Sequence, residues 1–74
     1  MTERILSIIS RYVDVPRESY SAETNIFDLG VDSLRMLQII LDVEEAFSVK
    51  FEDSEIVEIR TAIDIEKNIS TKFE

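Results

Sequence analysis

Residues 32 to 47 carry apolar side chains on two opposed helical faces, and that doubling limits what the chain can fold into. At about 100° per residue, Met36, Ile39, Ile40, Val43 and Phe47 gather on one side of a helix running from about Asp32 to Phe47. Leu34, Leu37 and Leu41 fall almost opposite, alongside Gln38, Glu44 and Glu45. One face can be buried in a small bundle, but not both. The second stripe therefore either packs under a neighbouring loop or stands exposed for a partner.

The 74 residues have room for one small domain, residues 1–74, and no internal repeat divides them. Cysteine is absent, which removes disulfide staples and thiolate metal sites. Histidine is absent too, and with it the commonest general base and metal ligand. A hydrophobic share of 45% is that of a globular chain, not a disordered one. Sixteen acidic residues against 8 basic ones leave a net charge of −8. Such a surface repels nucleic acid and anionic membranes, so neither is expected as a partner; it attracts basic protein surfaces. Repulsion among the carboxylates would also raise their pKa values and make stability improve as pH falls. The longest unbroken apolar run is Ile39-Ile40-Leu41, too short for a membrane span or a signal peptide, so a monomer in the cytoplasm is expected.

A first helix is expected over Thr2 to Val13, where Ile5, Ile8, Ile9, Tyr12 and Val13 repeat at helical spacing. Thr2 or the residue before it is placed to cap it, and Pro16 closes it. Residues 14 to 31 form a long connection whose Ile26, Phe27 and Leu29 dip into the core, with turn chemistry from Asp28 and Gly30. Beyond Phe47, Ser48-Val49-Lys50-Phe51 crosses the bundle, and Asp53 or Ser54 caps a short turn reaching Ile59. Thr61, with Asp64 as its capping-box partner, starts a last helix that buries Ala62, Ile65 and Ile69. No alternation long enough for a sheet occurs. The expected fold is all-α: a small four-helix bundle of three main helices and one short one.

Catalytic constellations are missing. Glu52, Asp53, Glu55 and Glu58 lack the spacing of a calcium loop and read as a solvated patch, so no metal is expected. Glu44 and Glu45 are sequence neighbours that point in different directions, which is no glycosidase pair. No phosphate-binding loop, dinucleotide fingerprint or nucleophile elbow exists. What remains is Ser33, a hydroxyl where a glycine-punctuated loop becomes an apolar helix. Without a base beside it, Ser33 is a poor nucleophile. It is either an ordinary helix cap or a point of attachment.

Leu29-Gly30-Val31-Asp32-Ser33-Leu34 resembles the attachment motif of the acyl carrier protein family, usually Leu-Gly-x-Asp-Ser-Leu. The likeness spans essentially the whole chain. The Phe-x-x-Leu-Gly element at Phe27, the helix ending Glu-Glu-x-Phe at Glu44 and the Thr61-Ala62-Ile63-Asp64-Ile65 segment all look like that family. The resemblance implies a 4′-phosphopantetheine on Ser33, joined through a phosphodiester by a separate phosphopantetheinyl transferase that uses coenzyme A. The arm's thiol would hold acyl cargo as a thioester for loading and downstream synthase or transferase enzymes. Asp32 resembles the acidic residue that helps the transferase recognise the serine. A phosphate there would sit at a helix N-terminus, where free amides and the dipole favour negative charge, and Gly30 would permit close approach and an unusual backbone angle.

Two positions depart from the pattern of fatty-acid-synthesis carriers. Arg35 stands where an acidic residue is usual, and Gln38 where glutamate is common. The helix is thus less negative at its start, leaving Glu44 and Glu45 to meet basic partners around Leu34, Leu37, Gln38 and Leu41. That looks more like the carrier of a dedicated pathway: polyketide, specialised fatty acyl or similar. An aminoacyl or peptidyl carrier is the alternative, although Val31 departs from the Gly-Gly-Asp-Ser usual in that group. A helical interaction module in which Ser33 stays unmodified would explain the bundle and the charge, but not the motif.

Overall fold

The computed structural model describes residues 1–73, and among them the chain is helical without strands. The main helices are α1 (Thr2–Ser10), α2 (Ser33–Phe47) and α4 (Ala62–Lys72), with a short α3 (Asp53–Ile56). This is the expected bundle of three main helices and one short one. α1 packs against both α2 and α4. Ile5, Ile9, Ile39, Ile40, Val43, Ile65 and Ile69 are all but inaccessible to solvent between them. Each is anchored at helical spacing on one face of its helix, so the three stripes close on one another and leave the polar faces outside.

α1 stops at Ser10, short of the expected Val13. Its last turn tightens, with Arg11 N donating to Ile8 O at 3.1 Å and Tyr12 N to Ile9 O at 2.9 Å. Tertiary bonds then take the chain elsewhere. The Tyr12 hydroxyl donates to Asp42, and the Tyr12 carbonyl accepts from Arg35 Nη1 at 3.0 Å. Tyr12 and Val13 are accordingly only half-buried, and Leu6 takes a core position instead. Of the two expected caps of α1 it is Met1, the residue before Thr2, that takes the position, without a side-chain bond; the Thr2 hydroxyl donates to Glu66 Oε1 at 2.7 Å and clamps α1 to α4. On the other flank, Arg4 donates to the Ala46 carbonyl at 3.0 Å and lies over the Phe47 ring at 4.5 Å.

The connection between α1 and α2 is better ordered than a turn-rich loop suggests. It contains two 3-10 helices, Arg17–Ser19 and Ile26–Leu29. Ile26 is buried as expected, Phe27 and Leu29 pack partly against the core, and Tyr20 and Val31 are buried as well. Two backbone hydrogen bonds fasten this segment to the α3–α4 junction: Ile26 N to Arg60 O at 2.7 Å, and Ile63 N to Ala22 O at 3.1 Å. α4 begins with the expected capping box. Thr61 Oγ1 accepts from Asp64 N at 3.1 Å, and Asp64 Oδ2 accepts from Thr61 N at 3.0 Å. The cap of α3 is Glu52, not Asp53 or Ser54, with Glu52 N donating to Glu55 Oε1 at 2.7 Å. Lys72 reaches the same Glu55 oxygen at 2.7 Å, so the end of α4 holds α3 in place.

α2 terminates at Ser48, whose φ of 56° and ψ of 46° put a residue with a Cβ in the left-handed region. A left-handed residue other than glycine costs roughly 1–2 kcal/mol. Glycine at 48 relieves that strain but adds about 0.5–1 kcal/mol of unfolded-chain entropy. Ser48→Gly is therefore expected to stabilise by up to about 1 kcal/mol, raising Tm by roughly 4–8 °C at the upper end. An unchanged or lower Tm in a thermal melt would count against strain at this position.

Two carboxylates run against the expected rise in pKa. The Lys72 ammonium and then the Glu52 amide hold the Glu55 carboxyl below its usual range, outweighing a smaller effect of burial. Burial pushes Asp64 up, yet the amides of Arg60 and Thr61, the Thr61 side chain and the Lys67 charge together leave it below its usual range. A depressed folded pKa contributes stability above the unfolded value and loses it as pH falls through the folded one. Denaturant midpoints are thus expected to hold from neutrality down to about pH 5 and to decline below about pH 4. A midpoint that climbed on acidification would show instead that carboxylate repulsion dominates.

Candidate functional site

The approach to α2 is built from three successive local decisions. Gly30 closes the Ile26–Leu29 turn at a φ of 88°, with its amide donating to Phe27 O at 3.3 Å. The unusual backbone angle expected at Gly30 is present, and a Cβ placed there would meet nothing within 4 Å, so glycine is required by that angle and not by crowding within the chain. Val31 then buries its side chain, which fixes the direction of the chain. Asp32 caps the helix: its Oδ1 accepts from Arg35 N at 2.8 Å, and its carbonyl accepts from Met36 N at 2.9 Å.

Ser33 is the first residue of α2 and is exposed. Because Asp32 occupies the Arg35 and Met36 amides, the amides of Ser33 and Leu34 are the two that the helix leaves open at its positive end. A cleft of about 400 Å³ opens beside Ser33, lined by Phe27, Met36, Ile56, Val57 and Arg60. An exposed hydroxyl, two open amides and an adjoining apolar cleft fit a phosphodiester followed by a long, partly apolar arm. Among the described residues no cluster of three metal-ligating side chains exists, and no helix is long and apolar enough to cross a membrane.

The outer stripe of α2 stands in solvent. Leu34, Leu37 and Leu41 are 65%, 42% and 53% exposed, so they do not pack beneath the 14–31 connection. Gln38 and Glu45 are exposed beside them. Glu44 differs from that group: it is half-buried, and its Oε2 accepts from Phe51 N at 2.7 Å. One of its oxygens is therefore spent on holding the 48–51 crossing against α2. Val57, 65% exposed just past the end of α3, adds an apolar side chain on the rim of the Ser33 cleft.

Phe27, Ile56, Val57 and Arg60 were not singled out beside Ser33 by the sequence reading. Nothing in local spacing places them there. They arrive through the Ile26–Arg60 backbone bond and through the position of α3, both of which are tertiary.

A family model described as a phosphopantetheine attachment site matches residues 3–69. The acyl carrier protein of Syntrophobacter fumaroxidans is 38% identical over 66 residues, covering 88% of this chain and 82% of that protein. That of Thermotoga maritima is 34% identical over 71 residues, covering 95% and 88%. A solved acyl carrier protein from Enterococcus faecalis shares the fold, with a TM-score of 0.79 over 95% of this chain and 90% of that one, at 24% identity. With an attachment-site match over nearly its whole length and relatives this similar, the chain belongs to the acyl carrier protein family, whose members bear a covalent 4′-phosphopantetheine and carry intermediates without catalysing their conversion.

Proposed function

We propose that Ser33 is the residue that bears the arm, and that residues 1–74 act as one carrier domain, monomeric and cytoplasmic. The observation that carries this reading is the exposed Ser33 hydroxyl at the first turn of α2, behind the Asp32 cap and beside the cleft. When bound, the arm supplies a thiol on which cargo rides as a thioester. The chain's own contribution is positional. Asp32 rigidifies the turn, presents a carboxylate to the phosphopantetheinyl transferase and leaves the Ser33 hydroxyl projecting. The open amides and the helix dipole then stabilise the phosphodiester's charge.

The cargo is proposed to be an acyl intermediate of a dedicated biosynthetic pathway, polyketide or specialised fatty acyl. Arg35 and Gln38 support this, since they make the start of α2 less negative than in carriers of general fatty acid synthesis. An aminoacyl or peptidyl cargo is the second reading, and Val31 weighs against it. Leu34, Leu37, Gln38, Leu41 and Glu45 form the proposed docking face for loading and downstream enzymes, with Glu44 contributing through its free oxygen. An apolar centre with a charged rim is the usual anatomy of a transient interface.

Incubation with coenzyme A and a broad-specificity transferase should add one phosphopantetheine to the intact mass. Ser33→Ala should abolish the gain while keeping the fold, because Asp32 caps α2 and the change costs less than the ~1 kcal/mol of a lost cap. Undiminished labelling of the Ala variant would move the site elsewhere. An unlabelled wild type would favour the unmodified interaction module.

Leu41→Ala should leave stability almost unchanged and weaken transfer by cognate enzymes, whereas Ile40→Ala, at a fully buried position, should cost about 2–5 kcal/mol. Glu45→Lys should mainly slow association and alter its salt dependence. Urea titration and transfer kinetics read the two effects separately; transfer rates indifferent to Leu41 and Glu45 would remove this face from the docking site.

A further inference from the structure

Arg60 is a cation held in one place. Its Nη1 donates to the Val57 carbonyl at 2.8 Å and to the Ile59 carbonyl at 3.0 Å. Its guanidinium carbon lies 5.8 Å from the centre of the Phe27 ring. Its carbonyl accepts the Ile26 amide at 2.7 Å, which ties the backbone at 60 to the turn that leads into Ser33. These contacts fix the side chain on the wall of the cleft that Ser33 also lines.

The guanidinium nonetheless has no carboxylate partner among the described residues. The three ion pairs among the described residues involve Arg11, Arg17 and Lys72, and Asp64 bonds the Arg60 amide, not its side chain. With Nη1 occupied twice, the edge formed by Nε and Nη2 is the one left without a protein acceptor among the described residues. Two parallel donors on a planar edge match the oxygens of a phosphate. Arg4, Arg35, Lys50 and Lys67 form no ion pair among the described residues either, but Arg60 is the cation on the wall of the cleft. Arg35, closer to Ser33 in sequence, instead gives Nη1 to the Tyr12 carbonyl and does not line the cleft.

We propose that the Nε–Nη2 edge of Arg60 holds the phosphodiester joining the arm to Ser33, and so lays the arm along the cleft lined by Phe27, Met36, Ile56 and Val57. This rests on Ser33 as the attachment residue. A carboxylate on the cargo has the same chemistry, but it rides at the far end of a flexible arm. The phosphodiester is bonded directly to Ser33, and its tether gives it a high effective concentration at the cleft. An exposed ion pair gains little by itself; tethering and the Phe27 face favour this one.

The test compares the apo protein with three holo forms, bearing the free thiol, an acetyl thioester or a succinyl thioester, each verified by intact mass. The arginine Nε–H signals are followed by nitrogen-15 NMR. The expected result is that the Arg60 signal shifts and its solvent exchange slows severalfold, equally in all three holo forms, while Arg4, Arg11, Arg17 and Arg35 stay in place. Arg60→Gln should move the phosphorus-31 signal of the holo protein toward its position in the urea-unfolded protein. Arg60→Lys, which keeps the charge without the planar edge, should retain part of the native shift, and backbone amide spectra of both variants verify the fold. An Arg60 signal unmoved in verified holo protein overturns the proposal. So does a shift confined to the succinyl form, which assigns the contact to cargo, or one centred on Arg35. Absence of any mass gain defeats the Ser33 assignment itself, and the inference with it.

Discussion

The two backbone hydrogen bonds between the long connection and the α3–α4 junction are what the site depends on. Ile26 N to Arg60 O and Ile63 N to Ala22 O join segments far apart in sequence, each satisfying a polar group that burial would otherwise strand. Ile26 is almost fully buried beside the first of them. Once Ile26 is fixed, the Ile26–Leu29 turn has one exit, and Gly30 takes it with a left-handed backbone. Val31 re-enters the core, Asp32 caps α2, and Ser33 is left projecting. A slack connection would leave the same motif in the sequence with no defined direction for the hydroxyl.

α2 settles the conflict between its two apolar stripes by burying one and leaving the other in water. Met36, Ile39, Ile40 and Val43 are at most 3% exposed, while Leu34, Leu37 and Leu41 are each more than 40% exposed. Full burial of one leucine is worth roughly 1.5–3 kcal/mol, so the outer stripe forgoes an amount comparable with the whole stability of a domain this small. A carrier that must visit several enzymes and leave each of them has a use for such a surface. In the proposed docking role its contacts would have to be weak enough to release, which a small apolar centre with a charged rim would provide.

The elements that sequence reading anticipated are those decided within a few residues. The Thr61–Asp64 box, the buried faces of α2 and α4 except for Phe47, which is only half-buried, and the position of Ser33 at the start of α2 follow from helical spacing and cap chemistry alone. Where a distant group intervened, local rules misled. α1 ends at Ser10 because Asp42 and Arg35 claim Tyr12. α3 is capped by Glu52 because Glu55, pinned by Lys72, reaches back to its amide. Glu44 looks like a surface charge on a helical wheel, yet the Phe51 amide draws it inward. The motif was legible and the wall of the cleft was not, since Arg60 and Val57 reach Ser33 only through the tertiary fold.

Past the Asp32 cap, the charges along α2 oppose its own dipole. Its first turn holds Arg35 and no acidic residue, and its last turn holds Glu44 and Glu45 with no basic one. Each such placement costs about 0.3–1 kcal/mol in an isolated helix. The protein offsets part of this locally, by giving Arg35 the Tyr12 carbonyl and Glu44 the Phe51 amide. The rest makes sense once the helix is considered with its phosphodiester and its partners in place. An anion on Ser33, as proposed, would supply the negative charge that the first turn lacks, and a basic enzyme surface docked on the proposed face would supply the positive charge missing beside Glu45. On the proposed assignment, the arm on Ser33 would add to the Asp32 carboxylate at one end of the helix, and docked enzymes would complete the other.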